Sequence, residues 1–123
     1  MGKLWVIAGG REFADKTLFQ SAVRPLLRNG DTIIEGGAKG ADAMAEGFAR
    51  HHADWLHHTQ MPADWDTHKK SAGYIRNQQM AQAGDALIAF WDGRSKGTKN
   101  MIECMTRQGK DVHIIRYKPW TKS

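Results

Sequence analysis

The chain has 123 residues, of which 41% are hydrophobic and 25% charged. This is the mixture of an ordinary globular domain that can bury its own core, and it excludes a disordered chain. Eighteen Lys and Arg against thirteen Asp and Glu leave a net charge of +5, which favours an anionic partner but also fits a solvated surface, since only Arg116 to Lys122 is locally basic. Cys104 is the only cysteine, which excludes an intrachain disulfide and cysteine-based metal sites and fits a reducing compartment.

Met1 to Ala8 holds one lysine and a run of only five apolar residues, too short for a signal-peptide core or a membrane span, so a cytoplasmic chain with no membrane partner is expected. Lys3 to Ala8 reads as a strand that ends at Gly9-Gly10. Asp15 is placed to cap a helix from Lys16 to Arg28, where Leu18, Ala22, Val23, Leu26 and Leu27 keep the helical period and Pro25 interrupts it. Asn29-Gly30-Asp31 closes that segment. Thr32 to Glu35 is a second strand, followed by a glycine-rich turn and a helix from Ala41 to His52 with Ala41, Met44, Ala45, Phe48 and Ala49 on its apolar face.

Trp55 to Met61 is a more polar third strand. Pro62 to Gly73 shows no period and reads as a long loop, with a helix from Tyr74 to Ala83 after it. Ala86 to Trp91 is a strand, Thr98 to Gln108 a helix with Met101, Ile102 and Met105 inward, and Gly109 its end. Val112 to Arg116 is the last strand, and residues 118 to 123, beginning Lys118-Pro119-Trp120, form a short tail.

Strands and helices alternate throughout residues 1 to 117, which implies one α/β domain: a three-layer, Rossmann-like, doubly wound sheet of about five parallel strands with helices on both faces. In such folds the ligand crevice lies beyond the carboxyl ends of the strands. Three glycine-rich turns fall at that edge: Gly9-Gly10-Arg11, Gly36-Gly37-Ala38-Lys39-Gly40 and Gly93-Arg94-Ser95-Lys96-Gly97-Thr98. Their backbone N–H groups and the helix starts behind them suit one anionic, phosphate-bearing ligand. Neither the dinucleotide fingerprint G-x-G-x-x-G nor the P-loop pattern is present.

Other residues could add to this edge. Arg76 could pair with a phosphate and Asn77 read a base or ribose edge, while Asp42 and Asp64 could hold ribose hydroxyls or act as a base. Aspartates also cap helices, and Thr98 is well placed to cap the last one. Trp5 and Trp91 lie in strand runs and suit the core. Trp65, in the long loop, is the better candidate for stacking on a base among tryptophans 5, 55, 65, 91 and 120. His51-His52 and His57-His58 do not make a preset metal cluster, because neighbouring side chains point apart. Cys104 sits among core-facing neighbours and reads as packing.

The ordered set Gly9-Gly10-Arg11-Glu12-Phe13 with Asp15, Gly36-Gly37-Ala38-Lys39-Gly40-Ala41-Asp42, Pro62-Ala63-Asp64-Trp65, Ala72-Gly73 with Arg76-Asn77-Gln78-Gln79-Met80, and Ala89-Phe90 leading to Gly97-Thr98 resembles the YspA-like, YpsA-related branch of the SLOG superfamily. The resemblance implies a Rossmann-like domain that binds nucleotides or nucleotide-derived ligands. It also implies distant kinship with the DNA-processing DprA/Smf proteins and the LOG phosphoribohydrolases. The LOG pattern carries a Gly-Gly-x-Gly-Thr turn with a glutamate three residues after the threonine; here Arg94-Ser95 breaks the glycine spacing, Met101 stands at the glutamate position, and Glu103 lies two residues further on.

The leading expectation is therefore binding of a nucleotide or a nucleotide-sugar or ADP-ribose-like molecule. Its ligand set is Gly9, Gly10, Arg11, Gly36, Gly37, Ala38, Gly40, Asp42, Asp64, Arg76, Asn77, Ser95, Lys96, Gly97 and Thr98. The alternative is a hydrolase of a nucleotide N-glycosidic or phosphate bond with Asp42, Asp64 or Glu103 as base. A third reading, less favoured without a massed basic stripe, is a DNA-binding or DNA-processing accessory protein. No metal and no cofactor beyond the nucleotide-type ligand is expected. Because relatives often pair, a homodimer is expected too.

Overall fold

The computed structural model describes residues 2–118, so residues 119 to 123, including Trp120 and most of the expected tail, lie outside it. Successive side chains of a strand point to opposite faces, and a strand covered on both reads as a continuous apolar run. β1 (Leu4–Gly9) does so: Trp5 and Ile7 enter one core, Val6 and Ala8 the other. β4 (Ala86–Trp91) divides in the same way, with Ala86, Ile88 and Phe90 against Leu87 and Ala89. β2 (Thr32–Glu35), β3 (His57–Gln60) and β5 (Asp111–Arg116) complete one sheet.

Every pairing is parallel and the strand order is β3-β2-β1-β4-β5. α1 (Lys16–Val23) and α2 (Ala41–His51) cover one face through Phe19, Val23, Ala45 and Phe48. Phe13 and Phe19 both stack on Phe90 there, at 4.7 and 5.2 Å between ring centroids. α4 (Ala72–Ala83) and α5 (Lys96–Arg107) cover the other face with Met80, Ala81, Met101, Cys104 and Met105. This is the Rossmann-like, three-layer α/β fold. The chain runs outward from β1 to β3, then crosses back to place β4 on the other side of β1, so the order reverses between β1 and β4 and a crevice opens beyond their carboxyl ends.

The elements differ from the sequence expectation by more than one residue in four places. α1 stops at Val23, not Arg28: Pro25 has no N–H to give to the Ser21 carbonyl and its ring crowds the preceding turn, and Leu26 donates to the Val23 carbonyl, three residues back, in place of a helical bond. The expected loop from Pro62 to Gly73 contains a one-turn helix, α3 (Trp65–His68), capped by the Asp64 carboxylate on the Thr67 N–H, then a 3-10 turn (Lys69–Ser71), and α4 starts at Ala72. One turn is too short to show a period. α5 begins at Lys96 with Ser95 as its cap, so Thr98 is the third helical residue, buried, and not the cap. β3 is only four residues long, as suits a sheet edge.

Trp5 and Cys104 are buried as expected of core residues, whereas Trp91 is half-buried with its indole N–H on the Ser95 carbonyl. No helix among the described residues is long and apolar enough to cross a membrane.

Candidate functional site

The first turn is tied down from both sides of the reversal point. The Gly10 N–H donates to the Phe90 carbonyl of β4, and the Gly10 carbonyl accepts the N–H groups of Phe13 and Ala41, each at 3.2 Å. The last of these pulls the start of α2 onto the first turn. Gly40 permits the contact: its φ is 73°, and a Cβ there would overlap the Gly10 carbonyl oxygen and come within 2.6 Å of the Arg11 carbonyl carbon.

The second turn is closed by carboxylates. Gly36 and Ala38 donate their N–H groups to Asp42 Oδ2 at 3.1 and 3.2 Å, and Gly37 donates to Glu35 Oε1 at 2.6 Å. Glu35 Oε2 accepts from Gln60 Nε2 at 2.9 Å and lies 2.7 Å from His58 Nε2. Three of the amides expected to cradle phosphate at this turn are thus engaged by the protein's own acids. Asp42 is itself buried, and that burial pushes its carboxyl up to about 6 against the opposing pull of the Ala38 N–H and the Arg76 charge. Its other oxygen, Oδ1, has no protein partner among the described residues and is not sealed from solvent.

The third turn follows the same logic with Asp92. Its Oδ1 accepts the Arg94 and Ser95 N–H groups at 2.8 and 2.7 Å, which hold the Asp92 carboxyl below the usual range although burial pushes the other way. Ser95 Oγ then takes the Thr98 N–H. The Lys96 and Gly97 N–H groups at the start of α5 have no acceptor among the described residues.

Arg76 and Asn77 brace the second turn against the third. Arg76 Nη1 donates to the Gly36 carbonyl at 2.7 Å, Arg76 Nε to Asn77 Oδ1 at 3.1 Å, and Asn77 Nδ2 to both the Gly97 carbonyl and Asn100 Oδ1. Gly36 lets the arginine in, since a Cβ there would overlap its guanidinium. Burial lowers the Arg76 pKa, while the Asp42 charge works against that.

Between these turns lies a cleft of about 600 Å³ at the carboxyl ends of β1 and β4. A sequence model of the YspA, cpYpsA-related SLOG family, YAcAr, matches residues 6–68, which include the first two turns and the Asp64 cap. The Gene 61 protein of Mycobacterium phage D29 is 34% identical to this chain over 121 residues, covering 93% of this chain and 97% of that protein. This chain belongs to the YAcAr family of SLOG proteins.

Of the ligand residues named from the sequence, the YAcAr cleft is lined by Gly9, Gly10, Arg11, Ala38, Asp42, Arg76, Asn77, Ser95, Gly97 and Thr98. Gly36, Gly37, Gly40 and Lys96 stand behind or beside it and shape the turns. Asp64 is exposed and caps α3, and Glu103 is exposed on α5; neither lines the cleft. Trp65 and Arg94 do line it.

Sequence reasoning passed over Glu12, Lys70, Tyr74, Asp92 and Tyr117, which also face the cleft, and Glu35, which is fully buried beneath the second turn. Glu35 did leave a signal, a carboxylate closing the apolar strand Thr32-Ile33-Ile34 immediately before a Gly-Gly pair. Tyr117 had none: it reaches the site only because β5 lies beside β4, where its hydroxyl comes against Gly10.

Proposed function

We propose that this protein binds a nucleotide or nucleotide-derived ligand, of nucleotide-sugar or ADP-ribose type, in the cleft between β1 and β4. The observation that carries the reading is the convergence of the first and third turns there, with the Arg11, Arg76 and Arg94 side chains around one cavity of about 600 Å³. That volume falls within the range of small-molecule sites. The uncommitted N–H group of Gly97 at a helix start supplies a donor for a phosphate oxygen. Asp42 Oδ1, without a protein partner among the described residues, suits a ribose hydroxyl, which donates to a carboxylate. Family membership supports a nucleotide-related role in general.

Titration calorimetry with AMP, ADP, ADP-ribose and a nucleotide sugar tests the reading. Saturable heat is expected with at least one, weakened by Arg11→Ala. Absence of heat with every member overturns it.

A second reading, hydrolysis of a nucleotide N-glycosidic or phosphate bond, is supported by a single observation: Asp42 alone of the three candidate bases lines the cleft. Chromatography of nucleotides incubated with the protein separates it from plain binding, since turnover releases base or phosphate and Asp42→Asn abolishes that release. Intact nucleotides after prolonged incubation remove this reading.

A further inference from the structure

Large apolar side chains are seldom left in water without cause when they crowd one concave surface. Among the described residues three are exposed: Trp65 at 52%, Tyr74 at 48% and Ile114 at 45%. Two of the three, Trp65 and Tyr74, line the same cleft, and they come from separate helices, α3 and α4. Their placement is built in. Asp64 caps α3 and so fixes where Trp65 leaves the chain, and the Trp65 ring lies over Gly73, 3.8 Å from where a Cβ would stand. The aromatic wall belongs to the α3–α4 side of the cleft. The uncommitted amide of Gly97, with Arg11 and Arg94, belongs to the side formed by the first and third turns; of the cations on the α3–α4 side, Arg76 is tied to the Gly36 carbonyl and Lys70 sits on the 3-10 turn between the two helices.

From this division we infer that the cleft is a two-part site for a nucleoside phosphate, in which Trp65 and Tyr74 stack on the base while the first and third turns take the phosphate. The inference rests on the nucleotide-binding reading above and deepens it by assigning an end of the ligand to each wall. Stacking tolerates any base, because every base has a π face. The Gly36, Gly37 and Ala38 amides of the second turn play no part in holding the phosphate, because Glu35 and Asp42 already occupy them.

Calorimetry with ADP, ribose 5-phosphate, inorganic pyrophosphate and a single-stranded oligonucleotide tests this on wild-type protein and on Trp65→Ala, Trp65→Phe and Tyr74→Ala. Both aromatic residues are exposed, and unchanged thermal unfolding of the variants verifies that they fold. Trp65→Ala is expected to weaken ADP about ten-fold, to leave pyrophosphate and ribose 5-phosphate unchanged, and to be largely rescued by Trp65→Phe. Tyr74→Ala is expected to act in the same direction. If wild-type protein binds ADP but Trp65→Ala leaves it unaffected, or weakens pyrophosphate equally, the two-part assignment is wrong and the nucleotide reading survives. If wild-type protein binds none of the small ligands, both fail. Oligonucleotide binding that ADP cannot displace overturns the mononucleotide assignment in favour of a nucleic-acid strand.

Discussion

Asp42 shows how one residue can serve structure and site together. Its Oδ2 holds the second turn through two N–H groups, while its Oδ1 has no protein partner among the described residues and the side chain lines the cleft. In the folded chain the carboxyl keeps its proton up to about pH 6, whereas in the unfolded chain it loses it near 3.8. Between those values the folded state binds the extra proton, so this group's contribution to stability falls as pH rises through the window. The cost, on the order of 3 kcal/mol, is complete above pH 6. Asp42→Asn keeps an oxygen for both N–H groups and cannot ionise; urea unfolding at several pH values should therefore show the variant gaining stability over wild type as pH rises from 4 to 7. An identical pH slope in both proteins would remove Asp42 as its source. Gly36 makes a different prediction: Gly36→Ala displaces the Arg76 guanidinium, the movable end of a long side chain, so stability should drop by only about 1 kcal/mol. Ligand affinity should fall more, because Arg76 then loses its anchor on the Gly36 carbonyl.

At the scale of elements, glycines of similar appearance in the sequence have opposite roles. Gly40 precedes α2 with a positive φ, and a side chain there would collide with the backbone of the first turn, which cannot move aside without leaving β1. Gly40→Ala should cost about 3 kcal/mol or more in chemical unfolding. Gly47 lies within α2 with open space where a Cβ would be, so Gly47→Ala should stabilise by about 0.5–1 kcal/mol through helix propensity alone. Equal losses at the two positions would mean that the contact of Gly40 with the first turn does not limit the side chain there. α3 is the element the sequence hid. Its single turn carries no period, yet it sets Trp65 on the cleft, and the one local trace it left was Asp64 placed three residues before Thr67.

Across the whole molecule, the site depends on strand order, which brings turns some 85 residues apart in sequence to one edge. A ligand that binds only there stabilises only the folded chain. At a concentration of 100 times its Kd this amounts to about 2.7 kcal/mol and, for a domain of this size, roughly 10 °C in Tm; added salt should shrink the shift where Arg11 and Arg94 meet a phosphate. Scanning calorimetry with and without the tightest-binding nucleotide at two ionic strengths measures both effects, and no shift at saturation would place binding outside the folded domain. The alternation of apolar runs with helical periods sufficed to establish the parallel α/β fold, because hydrophobic burial on both faces of a strand is written locally in every strand. The same local signals located the three turns and Ser95, Gly97 and Thr98 at the edge. What the turns offer a ligand was decided only by tertiary structure. Glu35 and Asp42 fill the Gly36, Gly37 and Ala38 N–H groups of the second turn, Arg76 and Asn77 brace it to the third, and Tyr117 and Tyr74 arrive from β5 and α4. Sequence spacing shows which donors exist; their partners come from elements distant along the chain, and only the packed sheet determines which of them remain unpaired.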